Sequence, residues 1–479
     1  MATKYSDIIK LRALKPAYNI EREEKGEWSV FIANKQFNDV LRKVISSVRN
    51  DNKDVHKSFW ISGTYGSGKS HAGSVLMHLL CDDIDDVREW IDTEYGDKKY
   101  EQLRLDLYNL RKSKRLLPIQ MYGQSNISHV DDLSLQIQKA VKQALKKAGI
   151  GLTVKTDFDN YAEHIHDNPD IWDVIINNNN ALRSVAPDRG RLIAAMRNQD
   201  ISTLNKAEEA LSNSRLDVRL DASRLTTWFF DVQNRLREVS QGKYNGLLVV
   251  WDEFTAVAQS DIGLSLLTEL QGLQERVEET VNDSYFLLIS HPSAFGSIKA
   301  EERNKTIGRY HYMVYNMEQV SAFKIMSRKF LIEGTDEEYY NMTHGFFELN
   351  ADLYDTYSSD STSPAETRHD IENLFPLHPS TVNLAAYYAR QAGSSSRSVF
   401  EFLGDSNPAI KESLNNEQHY SARDTITADY LWDFILSEFE SNVQQYGSVT
   451  SDLILIVCTF QTRERTISQC SKASFCLMH

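Results

Sequence analysis

The stretch Gly63–Ser70 carries residue types that bind phosphate groups. Its sequence, GTYGSGKS, satisfies the pattern G-x-x-x-x-G-K-[ST] at every position. The glycines let the backbone curl so that several N–H groups point at one phosphate, and the positive end of the following helix dipole adds to this attraction. Lys69 would contact the β- and γ-phosphates, and the Ser70 hydroxyl would bind magnesium. The stretch therefore predicts a site for ATP, or a close nucleotide relative, with Mg²⁺.

The flanking residues favour this interpretation over a glycine turn with an incidental lysine. The apolar run Phe59–Ile61 precedes the turn, and a set of apolar residues at helical spacing follows it from Ala72 to Leu80. A strand, a turn and a helix are therefore predicted in that order. The residues assigned to the nucleotide are the turn and the residue after it, with His71 given no catalytic role: Gly63, Thr64, Tyr65, Gly66, Ser67, Gly68, Lys69, Ser70 and His71.

Two acidic residues follow the apolar run Leu247–Trp251, which reads as a buried strand. Asp252 is predicted to hold magnesium together with Ser70, and Glu253 to orient or deprotonate the attacking water. The alternative is an acidic start of a helix after a strand, which the helix dipole also favours. Because the phosphate-binding turn is already present, the magnesium interpretation is preferred.

A polar pair follows the next apolar strand, Tyr285–Ile289. Many ATPases of the additional-strand type keep a polar side chain here, between the γ-phosphate and the acid. Ser290 is assigned to the nucleotide on this ground, and His291 could serve instead. Polar residues also end strands that have no catalytic role, so both interpretations stay open.

Apolar strands alternate with amphipathic helices over much of the chain, which predicts a three-layer α/β domain with a parallel sheet, the P-loop NTPase fold. A further strand is predicted at 116–121, where Pro118 indicates an edge strand or a strand start, and a weaker one at 310–315. The predicted division is a helical segment at 1–57, a P-loop core at 58–320 with a mostly helical insertion at about 150–222, a helical lid at 321–435, and a partial or truncated segment at 436–479.

The composition predicts a cytoplasmic protein that does not enter a membrane. The longest apolar run, Leu453–Cys458, is far too short to span a bilayer, and four cysteines do not form a disulfide framework. The net charge of -14 disfavours nucleic-acid binding by the overall field. DNA remains possible at two local basic stretches, although a solvated face is the preferred interpretation of each: Arg111–Arg115, and the helix carrying Lys139, Lys142, Lys146 and Lys147.

The two acids, the polar residue after the next strand and the helical region that follows resemble an AAA+ ATPase. More narrowly, Phe59–His71 resembles the large P-loop ATPases of bacterial phage-defence islands, of which the BREX-type ATPase is one. Phe375–Thr381 and Ser396–Leu403 are similar to a Leu-His-Pro element and an Arg-x-x-Phe-x-Phe element in the helical lid of that family. The resemblance covers about residues 25–405.

The resemblance implies hydrolysis of ATP by a homo-oligomer that works with other defence proteins. It implies that Arg309 is an arginine finger for a neighbouring subunit, with Arg303 as its competitor, and that Arg397 is the lid arginine that senses the γ-phosphate. It also suggests that Phe31 and Ile32 line the adenine pocket. Members of the family usually extend well past 479 residues, so the end of this chain is expected to be truncated or altered.

Three functions remain open on the sequence. The first is an oligomeric AAA+-like ATPase that acts as a motor or switch in anti-phage defence. The second is a nucleotide-gated scaffold that turns over slowly and recruits an effector or binds DNA. The third is a P-loop kinase or a nucleic-acid enzyme, which is disfavoured because no second catalytic motif is present.

Overall fold

A computed structural model describes most of the chain, and its contacts divide into two compact units. The sheet unit comprises Asn19–Gly63 and Lys69–Val314, and the helical unit comprises Met1–Tyr18, Thr64–Gly68 and Tyr315–His479. The residues described are 3–12, 18–49, 56–64, 67–123, 127, 129–130, 132–152, 154–214, 225–279, 283–296, 300–315, 319–361, 363–391, 402–403 and 407–431.

The described residues form strands and helices with the following bounds. The strands are β1 (Ile9–Leu11), β2 (Ser58–Ser62), β3 (Leu116–Tyr122), β4 (Gly246–Asp252), β5 (Ser284–Ser290), β6 (His311–Val314) and β7 (Phe330–Ile332). The helices of the sheet unit are α1 (Lys35–Arg49), α2 (Lys69–Cys81), α3 (Ile84–Glu94), α4 (Glu101–Ser113), α5 (Asp132–Lys147), α6 (Asp157–Asp167), α7 (Pro169–Asn178), α8 (Asn180–Val185), α9 (Arg189–Arg197), α10 (Ile201–Asn213), α11 (Leu225–Val239), α12 (Thr255–Ala258), α13 (Gly263–Glu279) and α14 (Ala300–Ile307). Those of the helical unit are α15 (Gln319–Ser327), α16 (Asp336–Leu349), α17 (Ala351–Ser358), α18 (Pro364–Glu372), α19 (Pro379–Gln391), α20 (Pro408–Asn415) and α21 (Glu417–Ala422).

The sheet unit is built on a five-stranded parallel sheet with the order β3-β4-β5-β2-β6. The predicted α/β class with a parallel sheet is therefore confirmed. Pro118 lies on β3, an edge strand that pairs with β4, so the prediction of an edge position is also confirmed. Because an edge strand leaves one side of its backbone without a strand neighbour, a residue without an N–H can be accommodated there.

Helices cover both faces of this sheet. On one face, Trp60, Val249 and Phe286 pack in a single apolar cluster with residues of α5, α11 and α13. On the other face, Phe59 and Leu248 line a small cavity together with side chains of α1 and α2. Alternate residues of a strand point to opposite faces. Burial on both faces therefore explains why β4 and β5 are almost continuously apolar in sequence.

The helices α6–α10 occupy the region where the sequence predicts a mostly helical insertion. Their buried residues form an apolar cluster together with Leu135 of α5, and this cluster includes Phe158, Trp172, Leu192 and Leu204. A separate cluster of this kind means that the insertion has its own packed core within the sheet unit.

The charged stretch 84–114 forms two helices, α3 and α4. Tyr95 ends α3: its ring is buried, and its hydroxyl donates to Asn38 Oδ1 at 2.8 Å. The carboxylate of Asp97 then accepts from the Lys99 N–H at 2.9 Å and starts a 3₁₀ turn before α4. The helix is therefore interrupted where the buried Tyr95 ring and the capping carboxylate of Asp97 stabilise a non-helical backbone.

The helical unit begins with a strand pair that the sequence did not reveal. β1 pairs antiparallel with β7, so that Ile9 lies opposite Ile332. Strands of three residues are too short to show a hydrophobic period, which is why this pairing was missed. By contacts, the helical unit includes the residues up to Tyr18 and those from Tyr315 onward.

Within the ranges given above, no helix has the length and apolar character needed to cross a membrane.

The start of β4 has no space for a side chain, which gives a prediction for stability. A Cβ atom on Gly246 would lie 1.8 Å from the Asp283 carbonyl oxygen, a backbone atom of the neighbouring strand region. We expect Gly246→Ala to lower the free energy of unfolding by roughly 2 kcal/mol or more, because the strands must separate. The measurement is chemical denaturation followed by circular dichroism.

Gly272 is the matched control, since it lies inside α13 and a Cβ there would meet nothing within 4 Å. Gly272→Ala should raise the free energy of unfolding by about 0.5 to 1 kcal/mol, as expected inside a helix. Equal effects of the two substitutions would contradict the close approach at Gly246.

Candidate phosphate and metal site

The glycine-rich turn connects β2 to α2, in the order that the sequence predicts. Ser62 ends β2, and Lys69 and Ser70 begin α2. Gly68 has a φ of +84°, in the left-handed region that glycine adopts without strain. Within the turn, the Ser67 N–H donates to the Thr64 carbonyl at 3.3 Å, whereas Tyr65 and Gly66 lie outside the described residues. Gly63 is fixed to β5, because its N–H donates to the Ser290 carbonyl at 3.1 Å.

Two oxygen ligands meet where the sequence predicts a magnesium site. The Ser70 hydroxyl donates to Asp252 Oδ1 at 3.1 Å, and the same oxygen accepts from the Glu253 N–H at 2.8 Å. Asp252 is the last residue of β4 and is only 2 % exposed. Hydroxyl and carboxylate oxygens are the hard donors that Mg²⁺ prefers, and one or two protein ligands suffice when phosphates complete the shell. The donor set therefore fits magnesium.

The sheet order explains how these distant residues come together. β5 lies between β2 and β4, and all three strands run parallel, so their carboxyl ends share one edge. From β2 the chain crosses to the far edge at β3 and returns through β4 and β5, while β6 lies on the other side of β2. The strands that follow β2 in sequence therefore lie on both sides of it. In open α/β sheets, ligands bind outside the carboxyl ends of the strands at such a switch point.

Lys69 lies close to both acids. Burial lowers the pKa of its ammonium group, and the carboxylates of Glu253 and Asp252 oppose that shift. Burial likewise raises the pKa of Asp252 to about 6, and the charge of Glu253 adds to the rise, while the Glu253 N–H, the Ser70 hydroxyl and the charge of Lys69 oppose it. A cation and two acids are therefore held together in a region with little solvent.

Glu253 adopts a conformation that non-glycine residues rarely take, with a φ of +54°. The bend is fixed on both sides: the Phe254 N–H donates to the Ile289 carbonyl at 2.9 Å, and the Gly123 N–H donates to the Asp252 carbonyl at 2.9 Å. A left-handed residue of this kind costs about 1 kcal/mol and persists only where its surroundings impose it. Neighbouring strands on both sides therefore determine where the chain turns out of the sheet.

The two polar residues at the end of β5, Ser290 and His291, have different partners. Ser290 is fully buried, and its hydroxyl accepts from the Trp60 indole N–H at 2.8 Å, a contact within the core. Burial lowers the pKa of His291, the positive charge of Lys69 lowers it further, and Glu253 opposes both. His291 is held by its N–H, which donates to Thr255 Oγ1 at 2.7 Å. Ser290 thus supports the core and His291 borders the acids.

Two hydroxyl groups near the turn are buried without a hydrogen-bond partner among the described residues. They belong to Ser62, at the end of β2, and to Ser67, within the turn. A buried hydroxyl without a partner costs roughly 1 to 3 kcal/mol, so each such group in a folded protein calls for an explanation. A ligand bound at the turn would supply partners for groups of this kind.

His71 serves to pack the preceding segment against α2. Its Nε2 lies 3.0 Å from the Trp28 carbonyl, and its ring meets that of Phe31 edge-on with 5.0 Å between centroids. Burial lowers the pKa of His71 to about 4, so the ring is neutral at pH 7 and donates to that carbonyl. Phe31 and Ile32 are both buried in the same region.

A charged cluster that the sequence analysis did not predict holds residues 19–30 on α2. His78 Nε2 lies 2.7 Å from Glu23 Oε1, its Nδ1 lies 2.5 Å from Asp82 Oδ2, and the Trp28 ring stacks on it. Glu23 also accepts from the Ser74 hydroxyl at 2.7 Å. Spacings of fifty residues and more in sequence separate Glu23 from its partners, so no local pattern could have revealed it.

Of the three arginines expected to act on phosphate, Arg309 is engaged within its own chain. It forms an ion pair with Glu275 at 2.9 Å and donates to the Gln271 side chain at 2.6 Å, and its side chain is about half exposed (47 %). No contact among the described residues joins it to Lys69. Arg303 lies over the Phe295 ring at 5.8 Å. Arg397 lies outside the described residues.

The basic stretch 111–115 has a structural role. Arg111 is buried and donates to the carbonyls of Leu80, Lys114 and Asp82, and Arg115 bonds to Asp83 and to the Cys81 carbonyl. Both arginines therefore satisfy carbonyl groups at the end of α2. In the second stretch, Lys142 pairs with Asp159 at 2.8 Å.

The comparisons with known proteins do not assign this site. The chain matches none of the protein-family models and has no significant match among curated proteins. The site is therefore interpreted on its own residues and geometry.

The cluster around His78 predicts a pH dependence of stability. Burial disfavours the charged ring, but the bonds to Asp82 and Glu23 outweigh it and raise the pKa of His78 from 6.5 to about 9. A raised folded-state pKa stabilises the fold fully below about pH 6.5, and this contribution is lost as the pH rises to about 9. We expect a loss on the order of 2 to 3 kcal/mol across that window.

The measurement is the free energy of unfolding of the wild type and of His78→Gln at several pH values between 6 and 9.5. The difference between the two proteins should shrink as the pH rises, because the variant lacks the titrating ring. A difference that stays constant over this range would show that the imidazolium does not hold the segment.

Proposed function

We propose that the protein is a magnesium-dependent ATPase of the AAA+-like P-loop type. The observation that carries this proposal is the contact of 3.1 Å between the Ser70 hydroxyl and Asp252 Oδ1. This contact joins Ser70, in the first turn of α2, to Asp252 at the end of β4, although strand β5 lies between β2 and β4. Phosphate-binding and metal-binding groups at one sheet edge are what hydrolysis of a nucleoside triphosphate requires.

Each residue of the site has a role in this proposal. Lys69 would bind the β- and γ-phosphates, and backbone N–H groups of the glycine-rich turn would donate to them. Ser70 and Asp252 hold Mg²⁺, which neutralises charge on the phosphate oxygens when it is bound. Glu253 takes up a proton from the attacking water or orients that water, since it follows Asp252 and lies near Lys69. His291 borders the same charges and supplies the polar group beside the γ-phosphate.

The cellular setting of the proposal comes from the family resemblance. By that resemblance, the ATPase works as a homo-oligomeric motor or switch with other proteins of a bacterial anti-phage defence system, in the cytoplasm. DNA is a possible further partner. By the same resemblance, Arg397 senses the γ-phosphate, and Arg309 is the arginine finger that acts on the nucleotide of a neighbouring subunit. Phage resistance of cells that carry the protein, compared with cells that carry Glu253→Gln, tests this setting.

One observation favours a second candidate, the slow-turnover scaffold. Arg309 already has Glu275 and Gln271 as partners in its own chain. An arginine held in this way must break an ion pair before it can reach a neighbouring subunit. If Arg309 keeps these partners, the protein would bind ATP, hydrolyse it slowly and signal through its ATP-bound state.

Two substitutions test the proposed chemistry. Lys69→Ala should abolish binding of Mg·ATP, because the buried ammonium supplies the main positive charge at the phosphates. Glu253→Gln should keep ATP binding and lower kcat by roughly 100-fold or more, because the amide cannot accept the proton. Binding is measured with a fluorescent ATP analogue and turnover by phosphate release.

A control for folding is the unfolding transition of each variant, which should stay within a few degrees of the wild type. Wild-type protein that binds Mg·ATP no better than Lys69→Ala would rule out the proposed function. Retained turnover in Glu253→Gln would instead remove this glutamate from the mechanism.

The role of Arg309 between subunits is tested by concentration. If Arg309 acts on a neighbour's nucleotide, the specific activity of the wild type should rise with protein concentration, and Arg309→Ala should lose about 1000-fold in kcat with Mg·ATP affinity retained. Lys305→Ala is the matched control, because Lys305 is an exposed cation of α14 that pairs with Glu301 at 2.9 Å, and Arg303→Ala tests the competing arginine. Constant specific activity together with an active Arg309→Ala would favour the slow-turnover scaffold.

A further inference from the structure

The side chain of Thr255 connects the segment after Glu253 to the end of β5. Thr255 is the first residue of α12, and it is buried. Its Oγ1 accepts a hydrogen bond from the His291 N–H at 2.7 Å, although the two residues are 36 positions apart in sequence. A buried side chain that bonds to a main-chain group of another segment fixes the two segments relative to each other.

The same end of β5 is also bonded to the start of the glycine-rich turn. The Gly63 N–H donates to the Ser290 carbonyl at 3.1 Å, and Ser290 directly precedes His291. Two hydrogen bonds therefore connect Gly63 to Thr255, with only Ser290 and His291 between them. Because Thr255 lies two residues after Glu253, this path links the first residue of the turn to the acid that is proposed to act on the attacking water.

The backbone conformation of Glu253 makes its position depend on such bonds. Its φ of +54° is one that a non-glycine residue keeps only where its surroundings impose it. Two of the bonds that fix this bend, from the N–H groups of Phe254 and Gly123, go to main-chain carbonyls. The bond from His291 goes to a side chain, that of Thr255. A substitution of Thr255 can therefore remove it while those two main-chain bonds remain.

We propose that Thr255 is a positioning residue for ATP hydrolysis, whose hydroxyl holds Glu253 in place relative to Gly63, the first residue of the glycine-rich turn. This inference rests on the proposed function. A displacement of about 1 Å at a reacting group can lower a rate about 100-fold. Binding of the nucleotide depends instead on Lys69 and on the turn itself. Thr255 therefore acts on the hydrolysis step and not on the affinity for Mg·ATP.

The substitution Thr255→Val in the full chain tests this inference, because valine has nearly the shape of threonine but cannot accept the hydrogen bond. We expect kcat to fall about tenfold, since the main-chain bonds still limit the displacement of Glu253. The affinity for a non-hydrolysable ATP analogue with magnesium should change less than about twofold. Thr255→Ser keeps the hydroxyl and should recover most of the lost kcat. Turnover is measured by phosphate release, and affinity by competition with a fluorescent ATP analogue.

A double substitution distinguishes a positioning role from a general loss of structure. If Thr255 acts through Glu253, Thr255→Val should cause no further loss in a protein that already carries Glu253→Gln, because the group that it positions has been removed. The slow remaining hydrolysis is measured in a single turnover, with protein in excess over ATP. An equal fold-loss of rate in the wild-type and Glu253→Gln backgrounds would overturn the inference.

Thr203→Val is the matched control, because Thr203 is also a buried threonine of the sheet unit. Its hydroxyl donates to Asp200 Oδ2 at 2.8 Å, at the start of α10 in the insertion. The control should change neither kcat nor affinity, and a loss of kcat as large as that of Thr255→Val would contradict the proposed role. If Thr255→Val does not fold, Thr255→Ala replaces it with the same expected result.

The outcomes separate this inference from the function on which it rests. If the wild type neither binds nor hydrolyses Mg·ATP, the proposed function and the role of Thr255 are both wrong. If the wild type hydrolyses Mg·ATP and Glu253→Gln does not, the function is established independently of Thr255. An unchanged kcat in Thr255→Val, or a loss of kcat with an equal loss of affinity, would then remove the role of Thr255 alone.

Discussion

The candidate site depends on a buried carboxylate that meets a helix N-terminus across an intervening strand. Asp252 is almost fully buried, and a buried acid needs partners that offset its loss of water. The Ser70 hydroxyl and the Glu253 N–H are two such partners, and Lys69 adds a positive charge. All three can reach it because β2, β5 and β4 run parallel and end at one edge. A change in strand order would separate the acid from the helix that carries Ser70.

The residues that surround this contact also fix its position. Phe254 bonds to the end of β5 and Gly123 bonds to the end of β4, so the left-handed bend at Glu253 is held from both sides. In the core beside the site, the Trp60 indole N–H donates to the Ser290 hydroxyl at 2.8 Å. The site is thus positioned by strand ends and not by a long flexible loop, which is the arrangement that holds catalytic groups within a narrow range of geometry.

The sequence predicted the elements that rely on local pattern. The apolar runs of β4 and β5, the edge position of Pro118 and the strand before the turn were all visible, because burial on both faces leaves a continuous apolar signal. What could not be predicted depends on residues that are far apart in sequence. The pairing of β1 with β7 involves strands of three residues, and Arg111 and Arg115 look like a basic patch until the carbonyls at the end of α2 are seen beside them.

The residues of the candidate site also fall into those that the sequence could predict and those that it could not. The identities of Lys69, Ser70, Asp252 and Glu253 followed from spacing, because the motif and the strand-terminal acids are local features. The choice between Ser290 and His291 did not follow, since it depends on the indole of Trp60 from a neighbouring strand. The cluster of Glu23, His78 and Asp82 was invisible for the same reason, although it holds the segment that precedes α1.

Charge balance connects these observations. The site brings Asp252 and Glu253 close to Lys69, and a bound triphosphate with magnesium would add further negative charge. A single buried lysine does not balance that total, so additional cations are expected at the edge of the site. Arg309 is already paired with Glu275, so this ion pair must open before Arg309 can contact a phosphate. On physical grounds, a cation that breaks no existing ion pair reaches the phosphate at lower cost than one that must first be released.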